Sequence, residues 1–414
     1  MKKTSKLIFL PAVLALLALV FGGCDSGSDD SGDDGGNSDF IAVSAIAGVP
    51  VSAATGIPLT LTGTVQPANA TNTSIEWSLQ SAGTTSASFD TDNVLDATAA
   101  GTMVVRARIA DGTAEGTDYT QDFPIDVIDL PAYVMISVPG GTVSADIDYN
   151  GGTEGTGEGP FANAGTQNMS IAAFTIGETE ITYELWKAVY DWASDNERGA
   201  RKYTFALAVG KEGDDGTLDA APTNQEPVTY IRGRDMIVWC NAYSEATGKT
   251  PVYYLAGTGD FSDDTRVVRE SEAGNVNFTS AKAENAVINP HANGFRLPTE
   301  AQWEYAARGG NPSDSTNWNY AYAGSDTLNN VAVNSDSHTA AVKTKNPNSL
   351  GLYDMSGNLN EFCWDIDSED NYNQYRQRRG GHYATGEGNC VLTWRDTYNT
   401  NNPSPALGFR VAAP

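Results

Sequence analysis

Gly294-Phe-Arg-Leu-Pro-Thr-Glu-Ala-Gln-Trp-Glu-Tyr-Ala-Ala-Arg-Gly-Gly310 starts and stops a helix within one short stretch. Pro298 ends the extended run before it, and Thr299 is placed as the N-cap. Gln302, three residues on, completes a capping box. Gly309 supplies the C-terminal glycine. Glu300 and Glu304 lie one turn apart. Paired carboxylates can do acid–base work, but Glu304 beside Arg296 or Arg308 reads as a structural ion pair.

Downstream, Gly351-Leu-Tyr-Asp-Met-Ser-Gly-Asn-Leu-Asn-Glu361-Phe-Cys-Trp-Asp365, Arg379-Gly-Gly381 and Leu407-Gly-Phe-Arg410 read as fixed scaffold. Between them His382–Asn402 mixes small polar and aromatic residues without a hydrophobic period. A rigid frame holding such a loop is how binding surfaces are commonly built. Upstream, Tyr133–Gly141 and Phe174–Ile181 read as strands. Thr182 caps a helix through Leu185, Trp186, Val189 and Trp192, and a second helix spans Arg234–Ala246 and stops at Gly248. The glycines up to Gly159 lack a Lys-Ser/Thr ending, which excludes a phosphate cradle.

The chain has 414 residues and a formal net charge of −27, which repels nucleic acid and anionic headgroups. Its 42 glycines and 18 prolines suit a loop-rich, β-rich architecture. Met1–Lys6 is positive and Leu7–Phe21 apolar but short for a membrane span. Phe21-Gly-Gly-Cys24 resembles a bacterial lipoprotein signal, which implies removal of residues 1–23 and a lipid on Cys24. Residues 24–39 are acidic and almost without apolar side chains, a flexible tether. Residues 40–129 alternate in Ile57–Val65, Ser74–Leu79, Thr102–Ile109 and Asp122–Ile128, and predict an all-β sandwich with Trp77 as core anchor. Leu59–Ala70, Ile75-Glu-Trp77, Ala100-Gly-Thr102 and Ala110-Asp-Gly112 resemble bacterial Ig-like domains, which implies a stalk.

Residues 131–414 resemble the formylglycine-generating-enzyme (sulfatase-modifying factor) family. The resemblance rests on Val138-Pro-Gly-Gly, Gly177-Glu-Thr-Glu-Ile-Thr182, Trp239-Cys-Asn241, Arg296–Gly309, Asn348–Asn358 and Gly408-Phe-Arg410. It implies an α+β head of the C-type-lectin-like kind. Enzymes of the family oxidise a client cysteine using copper(I) held by two thiols after the Arg-Gly-Gly turn. Here that segment has only Cys390, with Thr385 near the first thiol position. One thiolate does not make a two-sulfur copper(I) site, so copper and oxidase activity are expected to be absent. The competing reading is a modifying enzyme that uses a reduced Cys390. Cys363 and Cys390 flank the Arg-Gly-Gly turn, so a disulfide between them is expected, with Cys240 a buried small hydrophobe. The resemblance also implies structural calcium at Asp354, Gly357, Leu359 and Glu361, with a second site at Asn330 and the Val331 carbonyl. Asn360 stands where that motif usually has Trp. His291, His338 and His382 show no metal or triad spacing and are expected at the surface.

The same fold resembles the variable proteins of diversity-generating retroelements, in which a C-terminal segment is rewritten at adenines. His382, Ala384, Thr385, Gly386, Gly388, Asn389, Thr393, Asp396, Thr397, Tyr398 and Asn399 all belong to the residue set such rewriting permits. The expected contact residues are His382, Tyr383, Thr385, Asn389, Thr393, Asp396, Thr397, Tyr398 and Asn399, with Trp394 a candidate for the core instead. The whole reads as a monomeric, lipid-anchored envelope protein of the outer membrane or cell surface. Its head is expected to bind an extracellular protein or glycan ligand.

Overall fold

The computed structural model describes residues 40–90, 93–143, 168–207, 210–214, 225–257, 259–272, 282–367 and 374–414. The signal segment, Cys24, the acidic tether and the glycine-rich stretch after Val143 lie outside the described residues. From Ile41 to Pro414 the chain forms one contact unit. No helix among the described residues is long and apolar enough to cross a membrane.

The N-terminal part is all strand: β1 (Ala45–Ala47), β2 (Ser52–Ala54), β3 (Leu59–Thr60), β4 (Thr64–Gln66), β5 (Glu76–Ser81), β6 (Ser88–Phe89), β7 (Val94–Asp96), β8 (Gly101–Ala114) and β9 (Thr117–Ile128). They form a sheet ordered β2-β9-β8-β5, a second ordered β3-β7-β6, and the pair β1-β4. Leu59 and Leu95 of the smaller sheet share a core with Met103, Val105, Ile125 and Val127 of the larger. The outer face of β8 carries Arg106 and Arg108, ion-paired with Asp122, Asp118 and Glu76, so polar and apolar residues alternate as a one-sided sheet requires. Ile57–Val65 is not one strand. The chain passes between sheets at Gly63, where a Cβ would lie 2.7 Å from Ile46 Cγ2. Trp77 is only partly buried and packs on Phe123, with ring centroids 6.0 Å apart.

The head runs β10 (Met135–Val138), β11 (Gly141–Val143), β12 (Met169–Ile171), β13 (Phe174–Gly177), α1 (Tyr183–Ala193), β14 (Lys211–Glu212), β15 (Val228–Thr229), α2 (Gly233–Ala246), β16 (Tyr253–Tyr254), β17 (Val287–Ile288), α3 (Glu300–Ala307), α4 (Ser315–Trp318), α5 (Leu328–Val331), β18 (Asn360–Ile366), β19 (Tyr375–Arg379), α6 (Glu387–Cys390), β20 (Asp396–Asn399), β21 (Leu407–Gly408) and β22 (Ala412–Ala413). Both expected caps form. Thr182 accepts from Leu185 N, and Thr299 with Gln302 makes the capping box of α3. Trp186 of α1 stacks on Trp239 of α2 at 5.6 Å, and Phe409 meets both edge-on. The strand expected over Phe174–Ile181 stops at Gly177. Beyond it Glu178 N turns to Val134 O, and the Glu180 carboxylate turns inward to accept from Leu359 N.

Two sheets frame the head: β10-β13-β22, which brings the C-terminal strand back beside β13, and β20-β19-β18-β21. Glu361 and Arg410 join them. Arg410 donates to both Glu361 oxygens at 2.6 Å, and Trp303 Nε1 donates to Oε2 at 2.7 Å. Arg410 also donates to Gly177 O and Tyr353 O, each at 2.9 Å. All three side chains are fully buried. Arg410→Met would strand the Glu361 charge, a loss of about 3–5 kcal/mol. Equilibrium denaturation should show that loss, with partial recovery when Glu361→Gln is added.

Candidate functional site

The C-terminal segment is shaped by two left-handed glycines, Gly380 (φ 91°) and Gly381 (φ 73°). A Cβ on Gly381 would lie 2.7 Å from Asn389 O and 2.8 Å from Cys390 Sγ, so only glycine lets the segment fold back here. From that turn the chain passes α6, then joins the sheet edge as β20, antiparallel to β19. Below it Arg379, fully buried, donates to Glu300 Oε1, Glu304 Oε2 and Leu392 O. Arg308 takes the other Glu304 oxygen at 2.9 Å. Glu304 is thus the structural ion-pair partner expected of it, and the pair Glu300/Glu304 is occupied by arginines rather than available as acid and base.

Cys390 lies under this turn, fully buried. Thr385 Oγ1 is 3.7 Å from its Sγ and donates to His382 O at 2.7 Å. A threonine hydroxyl therefore stands where the resemblance places the first thiol. Burial pushes the Cys390 thiol up to about 11, so it is protonated near neutrality and a poor nucleophile. The expected Cys363–Cys390 bridge is not made. Cys240, Cys363 and Cys390 are free buried thiols, and the last two point into different clusters. Cys363 packs with Trp303 and Leu352 beneath β18, whereas Cys390 packs with Tyr322, Leu328 and Val331.

The expected contact residues divide. Asp396 is exposed, and His382, Thr385, Asn389, Thr397, Tyr398 and Asn399 are half-buried. Tyr383 and Thr393 are buried, which corrects their assignment as contact residues. Tyr383 packs with Val333 and Leu359 while its backbone N donates to Asn358 O. Trp394 is half-buried against the Cys390 cluster. Side chains alternate along β20, so Asp396 and Tyr398 share one sheet face and Thr397 and Asn399 the other. On the first face Arg378 pairs with Asp396, and its guanidinium lies 4.9 Å from the Tyr398 ring and 5.9 Å from Trp394. The alternation of Arg376 and Arg378 was the available signal for this residue. No sequence signal joined Asp214 to His338, which meet at 3.2 Å with His338 exposed. His291 is also exposed, while His382 is half-buried and burial lowers its pKa.

The side chains that the resemblance offers to calcium have protein partners or stand apart. Both Glu361 oxygens are held by Arg410 and Trp303, and Asn330 sits exposed on α5 with its carbonyl accepting from Asn346 N. Asp354 Oδ2 accepts from Lys343 N, leaving Oδ1 buried and unpaired. Among the described residues no group of three or more His, Cys, Asp or Glu side chains is placed to hold a metal. Nor do the thiols fit copper(I), since among the described residues Cys390 has no sulfur partner.

The site is therefore an α+β head of the formylglycine-generating type with one buried thiol under a polar and aromatic edge strand. A model of the sulfatase-modifying factor enzyme 1-like domain matches residues 127–414, and the chain belongs to that family. It is similar to the chaperone protein LppX of Paenibacillus barcinonensis, 29% identical over 293 residues, covering 65% of this chain and 90% of that one. The formylglycine-generating enzyme of Streptomyces coelicolor is 26% identical over 312 residues, covering 67% and 88%. The solved structure of CarF superposes with a TM-score of 0.53 at 29% identity, covering 68% and 98%.

Burial raises the Asp354 carboxyl from its ordinary 3.8 to about 6. Its ionisation therefore opposes folding, a penalty absent below about pH 4 and complete above pH 6, worth about 3 kcal/mol. With a chelator present, Asp354→Asn should raise the thermal midpoint at pH 7.5 and leave it unchanged at pH 4.

Proposed function

We propose that this is an envelope protein whose head binds a ligand through His382–Asn402 and performs no oxidation. The observation that carries the reading is the lone Cys390, buried and faced by Thr385 instead of a second thiol. Above it lies a half-exposed face of Asp396, Tyr398 and Arg378, the mix of aromatic, acidic and guanidinium groups that suits recognition. A lipid on Cys24 would anchor the chain, residues 24–39 would act as a tether, and β1–β9 would form an Ig-like stalk. So anchored, the chain would belong to the cell envelope, with the outer membrane or cell surface as its proposed place. The similarity to a protein named as a chaperone favours a protein ligand over a glycan. His382, Thr385, Asn389, Thr397, Tyr398 and Asn399, all half-buried, are residue types that adenine rewriting permits, so the segment is also a candidate variable region.

The similarity to formylglycine-generating enzymes keeps the oxidase reading open to direct test. Incubated with copper and a Cys-x-Pro-x-Arg peptide, the protein should leave the peptide thiol intact. Thiol loss with appearance of an aldehyde would overturn the proposal. On arrays of short peptides and of glycans, hits should appear among peptides and weaken at least about tenfold with Tyr398→Ala.

A further inference from the structure

We infer that the sheet face beneath the C-terminal segment holds an anchor site for an acidic peptide, lined by Asn360, Arg232 and Asn401. The inference rests on the binding reading and adds the class of ligand. Asn360 is 1% exposed, and neither its amide nitrogen nor its amide oxygen has a partner. Arg232 Nε and Nη1 and Asn401 Oδ1 are likewise buried and unpaired. An unsatisfied buried polar atom costs about 1–3 kcal/mol, and native structures rarely leave several together.

These atoms come from three adjoining segments. Asn360 shares a face of β18 with Phe362, whose cross-strand partner is Arg378. A Cβ on Gly233, next to Arg232, would meet both the Phe362 ring and Thr400 Cα at 3.2 Å. Tyr230 N donates to Ser404 O, and Asn360 N to Ala406 O. All three side chains thus belong to the ground around the 400–406 turn. Tyr230 at the rim is a non-glycine residue at φ 53°, the kind of strain that clusters at ligand clamps. Lys211 Nζ lies 4.1 Å from its ring.

The donors define the ligand. Arg234 is paired with Glu284 and Arg378 with Asp396, whereas the Arg232 guanidinium makes no direct ion pair among the described residues; the Asp235 carboxylate that its charge favours already accepts from Ser271 Oγ, Ala206 N and Arg232 N. Its guanidinium can only donate, which suits a carboxylate. Asn360 offers a donor and an acceptor side by side, the complement of a peptide group, and Asn401 adds an acceptor for an N–H. The five atoms are out of reach of solvent, so binding there requires the neighbouring 400–406 turn to open, which the exchange measurement below reads.

The test uses the full-length protein and calorimetric titration with an end-capped Ala-Glu-Ala peptide, its Ala-Gln-Ala counterpart and glucuronate. The Glu peptide should bind at least about tenfold more tightly than the Gln peptide, and Arg232→Gln should erase that preference. Amide exchange across 400–406 should slow when the Glu peptide is present. Asn360→Leu should abolish binding yet raise the thermal midpoint, because it removes the unpaired amide. Equal affinity for the Glu and Gln peptides, preferential binding of glucuronate, or a lowered midpoint for Asn360→Leu would overturn the anchor site. Peptide-array hits that depend on Tyr398 but not on Arg232 would overturn it while leaving the binding reading intact.

Discussion

Glu361 and Arg410 sit forty-nine residues apart, both fully buried, and bond through both carboxylate oxygens. Five stretches of chain meet on this pair: the end of β13, helix α3 through Trp303, the Tyr353 turn, β18 through Glu361, and the segment of Arg410 just before β22. A charge so buried is tolerable only when fully paired, so none of these stretches can shift alone. Arg379, with Glu300, Glu304 and Leu392 O, repeats the device one strand over. Together the two arginines fix β18 and β19, and the C-terminal segment is laid on that fixed ground.

Fixed ground explains how irregular chain can carry function. Between Gly381 and Leu407 only two short elements form, α6 and β20. The rest is held by local hydrogen bonds such as His382 N to Thr385 Oγ1 and Asn401 N to Asn399 Oδ1. Changes at Asp396, Thr397 or Tyr398 would alter the surface without touching the arginine network. The resemblance implies two thiols beneath the Gly381 turn, and here Cys390 is faced by the Thr385 hydroxyl.

Much of this was legible in the sequence where the signal is local. The Thr299–Gln302 box, the Thr182 cap and the Glu304 ion pair depend on residues a turn or two apart and form as read. Ordered motifs likewise revealed the family. What could not be read depends on distant partners or on which way a short strand faces. Tyr383 and Thr393 look like contact residues by type, yet both are buried, Tyr383 against Val333 and Leu359. Cys363 and Cys390 flank the Gly381 turn, but β18 directs one to the α3 side and α6 directs the other to the α5 side. The resemblance offers Glu361 as a calcium ligand, and the arginine that binds both its oxygens lies forty-nine residues away, beyond the reach of any local signal. In the β region, alternation over Ile57–Val65 concealed a passage between two sheets that Gly63 permits.

Cys390 is a packed side chain beneath the proposed binding face, not an accessible thiol. Alkylation of the native protein with iodoacetamide at pH 8, followed by peptide mapping, tests this most directly. Cys390 should stay unmodified under conditions that label an exposed thiol completely, and become labelled only on unfolding. Rapid stoichiometric labelling of Cys390 in the folded protein would show an accessible, ionised thiol and contradict the account.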